Sequence, residues 1–458
     1  MLKASPLIRA ASSSSTSHYD VVVVGGGMVG NAVAAKLGAS SFLEGKRVVV
    51  LDSAKSRPSL PRSPPSTYAN RVSAVSPASV GLFKELGIWN RLEKYRVKRV
   101  DQLHVIEASS RAEITFDRPD NQEVAFIVEN DALVGTLSDL LATIPSVSHR
   151  TGATVTDCAL PSDTSELAKV TLQGGETITA DLVIGADGAN SSVRSSSAVD
   201  TTAWNYSQSA VVCTLKVAAD APNSTAWQRF SPLGPIALLP LTADLSSLVW
   251  TTSPEEAARL AKLPGDQFVD ELNEALLTDD HQDSFVNQTI FTLDTIRRSL
   301  PFTFSSSITR PSSVPPHVLG LQVDNRAAFP LGFAHANSYV APRMALIGDA
   351  AHRVHPLAGQ GVNMGWRDCR LLTEAVERAV RCGGDIDDVT WLRHYDTAAQ
   401  RLNVPTMVAI DWLNRLYRTQ AGPIVLARSL GLNFVNSLLP LKDLLIHTLS
   451  HYPTPPRP

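Results

Sequence analysis

The chain has 458 residues, 44% of them apolar and 19% charged, with a formal net charge of −3. This is the composition of an ordinary globular protein of about two or three domains. That charge gives no electrostatic case for a nucleic-acid partner, and no zinc-finger or helix-turn-helix pattern occurs. The four cysteines, Cys158, Cys213, Cys369 and Cys382, contain no C-x-x-C pair, which argues against a disulfide framework or thiolate metal cluster and for a reducing compartment.

Residues 1–18 differ in kind from the rest. Lys3 and Arg9 are their only fixed charges, Ser and Ala dominate, and the first acid of the chain is Asp20. A basic, Ser-rich, acid-free leader with Leu2, Leu7 and Ile8 on one side of a helix reads as a mitochondrial transit peptide, with a disordered start as the alternative. No uninterrupted apolar run reaches about eighteen residues, so no spanning helix is expected.

Tyr19 to Val24 is a β-branched strand, followed at once by Gly25-x-Gly27-x-x-Gly30 and the helical run around Ala34, Ala35 and Leu37. A second apolar strand, Arg47 to Leu51, closes on Asp52, 22 positions after Gly30. Strand, glycine turn, helix, strand and acid in this order are the adenine-dinucleotide fingerprint in its required context. Ser53 to Thr67 reads as an exposed loop. A helix to about Leu86 is predicted next, with Ser76 as N-cap and Pro77 at its first position.

Val100 to Val105 and Ala112 to Phe116 alternate as strands, and Asp131 to Leu141 has helical spacing. The strand Ala180 to Ile184 runs into Gly185-Ala-Asp187-Gly188, a second acid beside glycine at a strand end. From Ala210 to Phe329 the predicted strands (Ala210–Val217, Ala226–Phe230, Ile236–Leu241, Leu248–Thr252) come without regular helices between them, which predicts a mainly antiparallel sheet. One helical piece, Pro254 to Leu277, interrupts it, and Pro311 to Pro316 reads as a loop. The run Met344 to Ile347 predicts a buried parallel strand ending in Gly348-Asp349. A loop with Pro356, Gly359 and Gly361 follows, and a helix starts at about Asn363. Glycines admit close backbone approach and a helix N-terminus favours negative charge; a strand-end acid is placed to accept hydrogen bonds from a sugar or sugar alcohol. A flavin suits both. From Asp368 on, the chain is predicted mostly helical.

The Gly25 fingerprint, the Asp187-Gly188 element and the Gly348-Asp349 element together resemble the class A flavoprotein aromatic monooxygenases, with the para-hydroxybenzoate hydroxylase fold. Tyr68-Ala-Asn-Arg71-Val-Ser-Ala-Val-Ser-Pro-Ala-Ser79, Trp227-Gln-Arg229-Phe, Gly234-Pro-Ile-Ala-Leu-Leu-Pro240 and His352-Arg-Val-His355-Pro-Leu-Ala-Gly-Gln-Gly361 are similar to the ubiquinone (coenzyme Q) biosynthesis members of that family. The resemblance implies an α/β fold: an FAD-binding Rossmann-like domain, an inserted mainly antiparallel substrate domain and C-terminal helices. It divides the chain into a transit peptide (1–18), a first FAD-binding part (19–198, with substrate-domain strands near 99–128), the substrate domain (199–330), a second FAD-binding part (331–398) and a helical region (399–458).

In this family the residues matching Gly25, Gly27, Met28, Val29 and Gly30 bring the first helix to the FAD pyrophosphate. The acid matching Asp52 binds the adenosine ribose, where glutamate is commoner. Arg71 matches an arginine near the FAD phosphates, Asn130 a flavin-contacting polar position, and Asp187 a motif supporting FAD and reduced nicotinamide. Gly348 and Asp349 should hold the ribityl or phosphate region. Pro356, Leu357, Gly359, Gln360, Gly361 and Asn363 should form the flavin-facing loop and the helix start that stabilises charge on the reduced ring.

The implied reaction is hydroxylation of a polyprenyl 4-hydroxybenzoate-type ring by oxygen through a flavin hydroperoxide, with electrons from ferredoxin and its reductase. The implied setting is a biosynthetic complex peripheral to the matrix side of the mitochondrial inner membrane. The alternatives are an NADPH-dependent hydroxylase of another phenol and a flavin-loaded scaffold subunit. Since the cofactor carries the chemistry, no nucleophile triad and no metal are expected.

Four features keep two readings. His352 and His355 are a metal pair or, with no third ligand in the local sequence, hydrogen-bonding groups. Arg229 faces a phenolate or carboxylate, or makes a sheet-edge ion pair. Arg91, Lys94, Arg96, Lys98 and Arg99 form a solvated face or dock an acidic electron carrier or anionic lipid. Leu438, Leu441, Leu445 and Leu449 pack on the body or touch a membrane.

Overall fold

The computed structural model describes residues 17–110, 112–117, 123–163, 165–278, 283–299 and 314–437. The leader, the first half of the Pro311–Pro316 stretch and the four leucines from Leu438 to Leu449 lie outside the described residues.

In chain order the elements are β1 (Ser17–Val24), α1 (Met28–Gly38), β2 (Val48–Asp52), β3 (Val72–Val75), α2 (Pro77–Glu85), α3 (Trp89–Arg96), β4 (Lys98–Val100), β5 (Gln102–Glu107), β6 (Glu113–Asp117), β7 (Ala125–Glu129), α4 (Asn130–Leu141), β8 (Val147–Thr151), β9 (Val155–Ala159), β10 (Ala168–Leu172), β11 (Thr177–Gly185) and α5 (Ser192–Ser196). There follow β12 (Thr201–Val217), β13 (Thr225–Ser231), β14 (Gly234–Pro240), β15 (Leu245–Thr252), α6 (Pro254–Leu260), α7 (Gly265–Leu277), α8 (Ser284–Ser299), β16 (Val318–Leu321) and β17 (Ala327–Ala336). The last group is β18 (Val340–Ala341), β19 (Met344–Leu346), β20 (His352–Arg353), α9 (Gly361–Arg381), α10 (Val389–Arg418) and α11 (Gly422–Ser437).

The first sheet runs β18-β19-β11-β1-β2-β8, with β10 and β9 attached to β11. Its central strands β19, β11, β1, β2 and β8 pair in parallel. Val22, Val23, Val49 and Val50 are fully buried because a parallel sheet covered on both faces removes every side chain from water; each such valine contributes about 1.5–3 kcal/mol. The strand ends at Val24, Asp52, Gly185 and Leu346 therefore all point to one edge, where the crossovers to α1 and α9 begin.

The second sheet runs β20-β17-β12-β15-β14-β13-β5-β6, with β16 on β12. It is antiparallel except where β13 meets β5. A small third sheet, β3-β7-β4, comes from the stretch between β2 and β8 of the first sheet, interleaved with β5 and β6 of the second. Several expectations change. Val100 to Val105 is not one strand: the chain breaks at Asp101, whose N–H donates to Ser224 O (2.9 Å), so β4 joins β7 while β5 joins β13 and β6. Pro254 to Leu277 is two helices, because Pro264 cannot continue α6 and instead caps α7, and a further helix, α8, follows where none was expected.

Ser76 caps α2 as expected, its Oγ accepting from Ser79 N, with Pro77 in the first turn. The helix after Asp349 starts at Gly361 rather than Asn363.

Candidate functional site

A cavity of about 1600 Å³ opens between the parallel sheet's carboxyl edge, the antiparallel sheet and helices α10 and α11. It is larger than the roughly 300–1,000 Å³ typical of a single small-molecule pocket. One end is built by Gly27, Met28, Val29, Arg71, Asn130 and Asp349, the middle by Pro356 to Asn363, and the far end by apolar side chains of both sheets and the last helices.

Three helices, α1, α4 and α9, begin on this wall, at Met28, Asn130 and Gly361, and none has a side-chain N-cap. Elsewhere α6 and α10 are closed by Ser253 and Asp388, while α3 and α7 are left open like these three. Helix N-termini without a side-chain cap leave amide donors and partial positive charge facing the cavity, and Arg71 and Arg353 add full positive charge to the same wall. The donor set fits a diphosphate and an electron-rich ring. The cradle is close-packed behind it: a Cβ on Gly30 would sit 1.9 Å from Gly25 O, so only glycine lets α1 approach the strand end. At Gly359 the backbone is left-handed (φ 58°) and a Cβ would meet Ala74 Cβ at 3.2 Å, which fixes the turn into α9.

Asp349 is open to the cavity, yet the protein packed around it pushes its carboxyl above the ordinary value, opposed by His352 and Arg353. Its turn is held from behind by Asp368 of α9, which is fully buried. Asp368 Oδ2 accepts from His352 Nε2 (2.6 Å) and from Gly348 N (3.0 Å), and Oδ1 accepts from Asn403 Nδ2 (2.9 Å).

Several expected residues stand behind the wall, or line it with the side chain already engaged by the protein. Asp187 Oδ2 accepts from Ser192 N (2.7 Å) and Oγ (2.8 Å), so it shapes the loop while its neighbours Gly188, Ala189 and Asn190 line the cavity. Asn363 lines the wall but uses its amide internally, accepting from Ser76 N and Ser79 Oγ and donating to Ala74 O and Gly359 O. Asn130 Oδ1 accepts from Ser73 Oγ (2.7 Å). Asp52 lies against Gly26, where a Cβ would meet its Oδ2 at 2.4 Å. His149, whose Nε2 is 3.8 Å from that oxygen, holds the Asp52 carboxyl below its ordinary value. Gly25 and Gly348 serve the turns and do not line the cavity.

The two-way readings resolve in part. His352 gives Nε2 to Asp368, its Nδ1 having no partner, while His355 is buried with both ring nitrogens unpartnered, edge-on to Tyr206 at 5.3 Å; the pair does not converge on a metal site. Among the described residues the group spaced for a metal is His18, Asp20 and Asp181, where Asp20 already accepts from Lys46 Nζ and Arg47 N. Arg229 is buried on β13, donates to Thr278 O and does not line the cavity, because strand alternation turns it away while Gln228 and Phe230 face in. In the basic cluster, Arg91 pairs with Asp139, Arg96 with Glu129, and Arg99 with Asp101 and Glu123; its charge is largely neutralised by its own surface.

The far end was not foreseen from sequence. Tyr417 stacks on Phe230 at 4.0 Å. Arg428, almost fully buried, donates to Glu107 Oε1 (2.8 Å), Leu416 O, Thr419 O and Ser109 Oγ and so ties α11 to β5. The sole available signal was a lone arginine in the otherwise uncharged run Ala421–Ser437.

Residues 18–385 match the family of the FAD binding domain. The solved p-nitrophenol 4-monooxygenase PnpA from Pseudomonas putida DLL-E4 shares the fold with a TM-score of 0.67 at 17% identity, covering 96% of this chain and all of that one. PqsL from Pseudomonas aeruginosa does so at 0.63 and 21%, over 90% of this chain and all of PqsL. Fold and site define an FAD-binding flavoprotein monooxygenase of the class A aromatic-hydroxylase type.

Within that class the similarity is more specific. The mitochondrial ubiquinone biosynthesis monooxygenase COQ6 of Caenorhabditis elegans is 49% identical over 427 residues, covering 93% of this chain and 94% of the nematode protein. The Homo sapiens COQ6 is 41% identical over 431 residues, covering 92% and 90%. The chain belongs to the ubiquinone biosynthesis monooxygenase family. Among the described residues, no helix is long and apolar enough to cross a membrane.

Proposed function

We propose that this protein hydroxylates the aromatic ring of a polyprenyl 4-hydroxybenzoate-type intermediate of ubiquinone, using electrons from ferredoxin and its reductase, at the matrix side of the mitochondrial inner membrane. The observation that carries the reading is the continuity of the cavity. A polar end with three helix N-termini leads past the Pro356–Gly361 loop into an apolar end large enough for a second, greasy ligand.

FAD, when bound, supplies oxygen activation and transfer to the ring. The protein's share is placement and exclusion. Met28, Val29 and Arg71 would hold the diphosphate and Asp349 the ribityl chain, with Asp52 taking the adenosine ribose at the outer edge. Pro356, Leu357 and Gln360 would face the flavin ring, and the start of α9 would favour negative charge there. Leu103, Ile114, Phe116, Leu239, Leu416 and Leu432 line the far end and would shed water around the substrate, protecting the reactive oxygen species from collapse. Gln228 is the polar side chain that β13 turns into this apolar wall, placed to orient a ring hydroxyl or carboxylate.

The test is turnover by the FAD-loaded protein with ferredoxin, its reductase, NADPH, labelled dioxygen and the prenylated phenol. One labelled oxygen on the ring is the expected product. Rapid-mixing spectra decide the electron source: bleaching of bound flavin by NADPH alone at the turnover rate would remove ferredoxin from the scheme. Failure to hydroxylate with either donor would remove the hydroxylase reading itself.

A further inference from the structure

Helix α10 carries apolar residues on its outer face as well as on its packed one. Pro405, Val408, Ala409 and Trp412, at spacing i, i+3, i+4 and i+7, form one face, and all four are exposed to solvent. Val408 is 46% and Trp412 68% exposed, whereas a helix packed on a globular body turns apolar residues inward and polar ones out. The next residue, Leu413, is 40% exposed, and Ile424 at the start of α11 is 42% exposed; both also belong to the cavity wall. The apolar face therefore continues into the mouth of the cavity.

Along the chain, the charge beside it is almost all of one sign. Between Arg401 and Ser437 there is a single acid, Asp411, and it is buried and accepts from Arg415 Nε at 2.7 Å. Arg401, Arg415 and Arg418 are exposed on the same helix. An exposed tryptophan among aliphatic residues, in a stretch of chain edged by arginines and without an exposed acid of its own, has the chemistry of a segment that sits at the boundary between headgroups and acyl chains.

We propose that the α10 face bearing Val408 and Trp412 is the docking surface for an anionic lipid bilayer, set so that the cavity mouth at Leu413 and Ile424 opens directly onto the acyl region. This rests on the reading that the substrate carries a polyprenyl tail, since such a ligand is delivered from a bilayer rather than from water. The buried part of the same helix, including Met407, Ile410 and Asn414, would keep α10 packed while its outer face touches lipid.

The experiment uses the FAD-loaded full chain and flotation with vesicles of phosphatidylcholine, with and without phosphatidylglycerol. Wild-type protein should float with the anionic vesicles, more weakly with the neutral ones, and less as salt rises. The double variant Val408→Gln/Trp412→Gln should lose about tenfold or more in partitioning, with bound FAD, melting temperature and turnover of a short-tailed soluble phenol unchanged. Neither residue lines the cavity. Wild-type protein that ignores both vesicle types, or a variant that floats as well as wild type, overturns the proposal. Flotation that responds to the variant, in a preparation that hydroxylates no phenol, would overturn the enzymatic reading and leave the docking surface standing.

Discussion

Asp368 and His352, sixteen positions apart on α9 and β20, meet in a fully buried hydrogen bond of 2.6 Å. The same carboxylate oxygen takes the amide of Gly348 at 3.0 Å. One side chain thus fixes both ends of the Gly348–His352 turn that presents Asp349 to the cavity.

Removing that carboxylate strands three donors in the interior. Asp368→Ala should cost roughly 3–5 kcal/mol in urea unfolding, the usual penalty for breaking a buried charged or hydrogen-bonded set. The purified protein should also retain less FAD, read by flavin absorbance against protein. Unchanged FAD content at equal stability would mean that the turn holds its shape without Asp368.

Asp349 should trade stability for cofactor binding. Its carboxyl lies above the ordinary value in the folded protein because of the protein packed around it, so the folded state holds its proton more tightly than the unfolded one. Stability from this group is complete below the unfolded value and declines as pH rises through the folded one. Asp349→Asn should therefore make the apoprotein more stable at neutral pH, a gain that disappears in acid, while weakening FAD binding. Gly359→Val offers the structural counterpart: it forces a β-branched residue into a left-handed turn and against Ala74, at about 1–2 kcal/mol, and should reduce FAD retention or hydroxylation without unfolding the chain. Full retention of both by either variant would remove the Gly348–Gly361 segment from the site.

Arg428 and Glu107 are each about 1% exposed at the side chain. Burial pushes the Glu107 carboxyl up, and the Arg428 guanidinium only partly offsets it. Arg428→Met leaves that acid without its partner and should cost about 3–5 kcal/mol, loosening α11 from β5. The double variant Glu107→Gln/Arg428→Met should recover much of the loss in the same unfolding experiment. A double variant no better than the single one would show that the main-chain contacts of Arg428 to Leu416 and Thr419 matter more than its charge.

How much of this was legible in the chain follows from how local each signal is. Val21–Val24, Gly25–Gly30 and Val48–Asp52 declare a strand, turn and second strand within a few dozen residues, and Met344 to Gly361 does the same for the loop before α9, so both halves of the cavity's polar end were readable. Periodicity also read β12 to β15 as strands. The resemblance, not the periodicity, assigned strands near 99–128 to the substrate domain; the break at Asp101, whose N–H donates to Ser224 O, was not readable from either. The Asp368 and Arg428 ties join residues that share no pattern in sequence; Arg428 and Glu107 are 321 positions apart. Asn363 carried a motif signal, yet its amide is taken up by the loops it shapes, since buried polar groups must be satisfied before they can serve a ligand; Asp187 gives one carboxylate oxygen to its loop and keeps Oδ1 without a partner.

His355 supplies a pH signature of its own. It is fully buried, without a partner on either ring nitrogen, and burial, with Arg418 adding to it, pushes its pKa down to about 4 from 6.5. A histidine with a depressed value binds its proton more weakly folded than unfolded, so its contribution to stability is complete above the unfolded value. It is lost as pH falls from about 6.5 towards 4, by at most roughly 3 kcal/mol. His355→Phe keeps an aromatic ring against Tyr206 and removes the titration. Urea unfolding at a series of pH values should show the wild-type protein losing stability through this window and the variant losing less. Parallel curves would mean that the imidazole is solvated or paired in solution and that acid sensitivity comes from the carboxylates.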